Sequence, residues 1–315
     1  MPMRYGRVAG VEKPLSRLIL GCGPLHPDRM EQAETLLDAF VGAGGTAVDT
    51  AHAYGGGASE RAVGKWMAAR GARDRVFLIT KGAHPDPEWR PRVSADVIAR
   101  ELRESMERLG TDHIDLYLLH RDDPAVPVGT LVDCLNEHVA AGRIRAFGGS
   151  NWSPRRLEEA NAYAVAHGLR GFVASSPFLS LAVARDPAQM GHAILNGDAV
   201  ALAWYQQTGF PLLAWTAQAQ GFFSDRAAPE QPDTRARFRR YDHPDNWERR
   251  ARARQLAARL GRTPTQVALA WVLAQCNAHA IIGPGSAAHL VESFGALDLQ
   301  MESHDLAWIN LEGCG

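Results

Sequence analysis

Short apolar runs alternate with helical stretches eight times along this chain, and that rhythm constrains the fold more than any other feature. The runs fall at residues 15–21, 46–48, 76–80, 114–119, 144–149, 171–175, 211–215 and 280–283. Leu36, Leu37, Phe40 and Val41 form the apolar stripe of a helix over 28–43. Ser59 reads as the N-cap of the helix after the second strand, while Ser94 and Gly110 bracket the next one. Further helices are expected over 130–141 and 154–167, up to about residue 208, on either side of Pro264, and finally from residue 287. A short hairpin over 5–13 precedes the first strand. A helix between two strands is the crossover that parallel pairing needs. The strand ends therefore share one face.

Two architectures satisfy this order: a doubly wound sheet and a closed (β/α)8 TIM barrel. The doubly wound sheet wants a glycine-rich phosphate loop after its first strand. Here that turn reads Gly21-Cys22-Gly23-Pro24-Leu25-His26-Pro27, with two prolines and no third glycine. A barrel of ~250 residues plus insertions accounts for the length, so one barrel domain over 1–315 is expected. A long polar stretch follows strand seven over 222–246, with Arg235, Arg237, Arg239, Arg240, Asp242, His243 and Asp245. Loops of that length serve as lids or make solvated excursions.

Charge narrows the partners. Thirty-four basic residues against thirty-five acidic ones give a formal net charge of −1, so no global field attracts nucleic acid or an anionic membrane. No run approaches the ~18 apolar residues of a membrane span. Residues 1–7 hold no apolar segment of the kind a signal peptide uses. Cys22, Cys134, Cys276 and Cys314 are far apart and lack CxxC spacing, which argues against disulfides or zinc and for a reducing, cytoplasmic setting. His113 and Asp115 have no third ligand nearby in sequence, so no metal is expected.

The chemistry lies at the strand ends. Asp49 closes the second apolar run, Lys81 the third and His120 the fourth; Tyr54 follows Asp49 in the turn Tyr54-Gly55-Gly56-Gly57. Singly, each has a bland role: a turn cap, a rim aromatic, a snorkelling lysine, a core histidine. Together, an acid, a phenol, an amine and an imidazole on one face make a proton-transfer site.

The stretches Val48-Asp49-Thr50-Ala51-His52-Ala53-Tyr54-Gly55, Leu78-Ile79-Thr80-Lys81, Asp115-Leu116-Tyr117-Leu118-Leu119-His120 and Gly149-Ser150-Asn151-Trp152 resemble the aldo-keto reductase superfamily. The resemblance covers nearly the whole chain. It implies a (β/α)8 barrel that moves hydride between a nicotinamide cofactor and a small carbonyl or alcohol. It implies Tyr54 as acid/base, Lys81 as its tuning partner, Asp49 as the counter-ion of Lys81, and His120 as the group that orients the carbonyl. The physics agrees: a phenol of reference pKa ~10 donates poorly at neutral pH unless a nearby cation favours the phenolate.

The same resemblance implies that Ser150 and Asn151 bind the nicotinamide carboxamide and that Ser175 replaces a glutamine there. Trp215 would stack on the ring, with Thr216, Gln218 and Gly221 along the pyrophosphate. After strand eight, Gly283, Ser286, His289, Glu292 and Ser293 would meet the adenosine end. Lysine and arginine are missing from 283–293, so NADP(H) is implied by resemblance and NAD(H) by this departure. Trp89, Trp152 and Phe178 either wall the substrate pocket or pack loops together, and Arg249, Arg250, Arg252 and Arg254 read as a solvated helix face. Two other functions remain open: a cofactor-binding sensory protein of slow turnover, and a barrel isomerase or dehydratase using the same Tyr/Lys pair.

Overall fold

The computed structural model describes residues 3–185, 195–225 and 238–312. Arg235, Arg237 and Cys314 lie outside them. Two strands, β1 (Tyr5–Gly6) and β2 (Leu15–Ser16), pair antiparallel as a hairpin. Eight more close into a barrel: β3 (Leu18–Gly21), β4 (Ala47–Asp49), β5 (Phe77–Gly82), β6 (Ile114–Leu119), β7 (Ile144–Ser150), β8 (Ser175–Ser176), β9 (Leu212–Ala214) and β10 (Ala278–Ile282). Every neighbouring pair is parallel, and β10 returns to pair with β3. This is the (β/α)8 barrel that the strand and helix rhythm predicts.

The pleat sorts the core into two layers. Ile19, Ala47, Phe77, Ile79, Leu116, Leu118, Ala146, Ala174, Leu213 and Ile281 pack inside the barrel. Their chain neighbours Leu18, Leu20, Val48, Leu78, Tyr117, Leu119 and Phe147 face the helices. A strand side chain alternates with period two. The inward register therefore continues past the last apolar layer to Asp49, Lys81, His120, Ser150, Ser176 and Trp215. Val8, Val11 and Leu15 from the hairpin segment join the inner layer, closing the opposite end. One end of the barrel is plugged with hydrocarbon; the other carries the chemistry.

The helices lie outside: α1 (Met30–Gly42), α2 (Ala58–Arg70), α3 (Ala95–Leu109), α4 (Val128–Ala140), α5 (Pro154–Ala166), α6 (Ala199–Thr208), α7 (Pro244–Leu260), α8 (Pro264–Ala274), α9 (Ala287–Phe294) and α10 (Ser303–Ile309). Ser94 caps α3 through Val97 N–H, and Gly110 ends it in the left-handed region. Three expectations need correction. Ser59 is not a cap: Gly57 holds that position, and the Ser59 hydroxyl is buried, donating to the Cys22 carbonyl at 2.7 Å. The helix from 287 is not the last, since α10 follows it. The arginines of α7 are only in part a solvated face: Arg254 is exposed, as expected, but Arg249, Arg250 and Arg252 are partly or fully buried. Arg250 is buried and donates to the Phe222 and Ser224 carbonyls at 3.1 Å each, while Arg252 donates to the Trp308 carbonyl at 2.8 Å. They pin the loop after β9 and the C-terminal segment. No described helix is long and apolar enough to cross a membrane.

Candidate active site

At the open end, β4, β5 and β6 bring Asp49, Lys81 and His120 together. Backbone bonds lock the register there: Thr50 N–H donates to the Ile79 carbonyl, His52 N–H to Lys81 and His120 N–H to Gly82, at 2.8–2.9 Å. Lys81 Nζ lies 2.6 and 2.7 Å from the two Asp49 carboxylate oxygens, 3.0 Å from the Thr50 carbonyl and 3.3 Å from Tyr54 Oη. Lys81 and Asp49 are both buried. Burial pushes the Lys81 ammonium down, but Asp49 and Tyr54 together carry it above the ordinary lysine value. Burial likewise pushes Asp49 up against the pull of Lys81. We assign the pair as ammonium and carboxylate, because both carboxylate oxygens and two further oxygens converge on one nitrogen.

An ammonium has three N–H bonds. Asp49, the Thr50 carbonyl and Tyr54 Oη accept all of them. Tyr54 therefore receives a hydrogen bond from Lys81, and its own proton points elsewhere. The Lys81 charge also lies 5.0 Å from the Tyr54 ring centroid. The turn that carries Tyr54 is held from behind. Gly57 has φ +85°, and a Cβ there would come within 2.6 Å of the Arg108 guanidinium. Arg108 fills that space and donates to Glu60 Oε2 and Glu104 Oε2 at 3.2 Å each, and to the His52 carbonyl at 3.3 Å. His52 itself faces Glu104 at 2.7 Å, away from the site.

His120 is buried, edge-on to Tyr54 with ring centroids 5.6 Å apart and to His84 at 4.6 Å. Burial, then Lys81, His84 and Arg121, hold its imidazole well below the usual histidine value, so it is neutral. Its Nδ1 has no partner among the described residues.

From Asp49 and Tyr54 a cleft of about 550 Å³ runs past Trp215, Thr216, Gln218 and Gly221 to Gly283, His289 and Glu292. These expected cofactor positions line it. Ser286 instead caps α9 through His289 N–H, at the mouth of the cleft. Ser293 is buried behind it, receiving a hydrogen bond from Gln218 Nε2 at 3.0 Å. Glu292 Oε1 accepts from Thr263 Oγ1 at 2.6 Å. Asn151 Nδ2 donates to Ser150 Oγ at 2.9 Å and its Oδ1 accepts from Trp215 Nε1 at 3.0 Å. Ser150 Oγ donates to the Ser176 carbonyl at 3.0 Å.

Ser175 departs from expectation. Its hydroxyl accepts from Tyr205 of α6 at 2.8 Å, in the layer between barrel and helices. The alternation of β8 puts Ser176, not Ser175, on the interior side, where its hydroxyl donates to the Leu213 carbonyl at 2.9 Å. Trp152 and Phe178 are packing residues, each 1% exposed. Trp152 lies on Phe172 with centroids 4.7 Å apart, and Phe178 meets Trp215 edge-on at 4.8 Å. Sequence reasoning missed Thr265 and Phe238 in the cleft wall. Thr265 carried a signal, since Thr263 and Gln266 form a capping box that fixes the start of α8. No group of three or more metal-ligating side chains occurs among the described residues.

The profile of the Aldo/keto reductase family matches residues 17–310. The chain belongs to the Aldo/keto reductase family. It is accordingly an NAD(P)H-dependent oxidoreductase that acts on carbonyl compounds. Among its relatives, this reductase is 30% identical over 294 residues to the aldo-keto reductase yakc [NADP(+)] of Schizosaccharomyces pombe, covering 89% of this chain and 83% of that one. It is 29% identical over 321 residues to the uncharacterized oxidoreductase YrpG of Bacillus subtilis, covering 98% and 95%. A solved aldo-keto reductase of Klebsiella pneumoniae in complex with NADPH superposes with TM-score 0.74 and 26% identity, over 99% of this chain and 95% of that one.

Proposed function

We propose that this reductase converts an aldehyde or ketone to the alcohol with Tyr54 as general acid, Lys81 and Asp49 as its electrostatic support, and His120 as the group that orients the carbonyl. The observation that carries the reading is the Lys81–Tyr54 contact. Lys81 donates to Tyr54 Oη, which leaves the phenol proton free for the cleft. The residues along the cleft fit a nicotinamide dinucleotide. An indole forms one wall, Gly283 leaves open space where a side chain would stand, and the Ser286-capped start of α9 offers backbone N–H groups. When bound, the cofactor supplies hydride to the carbonyl carbon.

The chain's own residues handle the rest. Negative charge grows on the carbonyl oxygen as the carbon is reduced, so a donor beside that oxygen lowers the barrier. Tyr54 releases its proton to that oxygen, and the phenolate left behind faces the Lys81 ammonium. Asp49 holds Lys81 charged in a buried place where an amine alone would shed its proton. Neutral His120 accepts or donates one hydrogen bond without adding charge. The Trp215 indole in the cleft wall restricts water. At the far end, residues 283–293 carry no Lys or Arg, which favours weak discrimination between NADPH and NADH. Replacing Tyr54 by Phe tests the assignment: a variant that keeps more than about a tenth of wild-type kcat on a reducible carbonyl would overturn it.

A further inference from the structure

Arg121 follows His120 directly, and its guanidinium meets no carboxylate among the described residues. Lys81 is neutralised by Asp49. His120 and His84 are both held below the usual histidine value, chiefly by burial. Asp122, the nearest acid in sequence, turns away to Arg156 at 3.1 Å. The Arg121 guanidinium lies instead between two indoles, 5.9 Å from the Trp89 ring centroid and 5.9 Å from that of Trp215. Its only hydrogen bond among the described residues runs from Nη1 to the His120 carbonyl at 2.9 Å, and Nε is buried without an acceptor. Taking a guanidinium out of water with its donors unmet is costly, and an arriving anion relieves that cost. The planar fork of arginine matches a carboxylate in particular.

We propose that Arg121 recognises a carboxylate carried by the substrate, so that this reductase favours carbonyl compounds that are also acids. The proposal rests on the reading of Tyr54 and His120 given above. Arg121 shares its backbone with His120 and touches Trp215, so an anion held there leaves the rest of the molecule at the Tyr54 hydroxyl. The indoles of Trp89 and Trp215 fix the plane of the guanidinium and exclude water from its faces. Binding energy from a group remote from the reacting carbon then positions that carbon.

The test compares matched aldehydes at saturating cofactor: 4-oxobutanoate against butanal, and 4-carboxybenzaldehyde against 4-methylbenzaldehyde. In wild type the charged member of at least one pair is favoured in kcat/KM by tenfold or more, the size of one charge-assisted contact, mainly through KM. In Arg121→Met that ratio falls to within about threefold of unity; in Arg121→Lys, which keeps the charge but loses the fork, it is intermediate. A wild-type ratio near one in both pairs, or an undiminished ratio in Arg121→Met, overturns the proposal. The wild-type and Arg121→Lys ratios decide alone where the methionine variant does not fold. Absence of turnover on all four aldehydes by wild type would instead overturn the underlying assignment of Tyr54.

Discussion

Lys81 donates to Tyr54 Oη at 3.3 Å while held at 2.6 and 2.7 Å by Asp49, so the direction of the hydrogen bond at the phenol is set by an ion pair beneath it. Removing that phenol is the sharpest intervention. Tyr54→Phe should lower kcat by roughly 10²–10⁴-fold, the usual contribution of general acid catalysis. Cofactor affinity should change by no more than a few fold, because the hydroxyl matters only as charge develops. Steady-state kinetics together with cofactor titration check both parts.

The ion pair is also a folding element. Lys81→Met leaves the Asp49 carboxylate buried and unpaired, and should destabilise the protein by about 3–5 kcal/mol. Adding Asp49→Leu removes the stranded charge, so the double variant should be more stable than Lys81→Met while remaining inactive. Denaturant unfolding of the three proteins decides it. A double variant no more stable than the single one would show that the pair is not the source of the loss.

Acid should find a second weak point at the plugged end. His279 is buried, its Nδ1 donating to the Ser16 carbonyl at 3.0 Å and its Nε2 unpartnered among the described residues. Burial, with Arg17 adding to it against the Ser16 bond, lowers its pKa from 6.5 to about 4. A lowered histidine pKa means that the unfolded chain takes up a proton the folded chain refuses. Stability is therefore fully present above pH ~6.5 and declines as pH falls towards about 4, by ~1.4 kcal/mol per unit, or roughly 3 kcal/mol in all. In His279→Gln the slope of unfolding free energy against pH over this window should be shallower by about one proton. An unchanged slope would place the acid sensitivity elsewhere.

Cofactor choice and stacking can be read together. Wild type should prefer NADPH over NADH in kcat/KM by less than about a hundredfold (~2.7 kcal/mol), because 283–293 lacks a cationic clamp. Trp215→Ala should weaken both cofactors by about 0.5–1.5 kcal/mol beyond lost area. Loss for neither cofactor, measured by calorimetry, would return Trp215 to a packing role.

Much of this was readable from the sequence because the barrel converts strand order into spatial order. Asp49, Lys81 and His120 end consecutive parallel strands, so neighbours in the β/α rhythm are neighbours in space. What escaped depends on contacts that no period encodes. The side on which Ser175 falls is set by where β8 pairs with β7, and a two-residue strand carries too little alternation to reveal it. Arg250 belongs to a run of charge whose pattern suggests solvent, yet its acceptors are carbonyls of the distant 222–224 loop. In sequence Arg121, beside Asp122, leans towards a hydroxylated or sugar-like carbonyl; that it meets no carboxylate among the described residues is a fact about three dimensions.

The proposed proton-handling groups come from β4, β5 and β6 and the turn after β4, whereas the far end of the cleft is built from β9, β10 and the elements after them. Among the contacts that join the halves, Trp215 donates to Asn151, and Asn151 donates to the His120 carbonyl at 3.3 Å. Nucleotide preference and bond-making chemistry are thus separately mutable. A lineage built on this scaffold is free to trade one coenzyme for the other without relearning how to protonate a carbonyl.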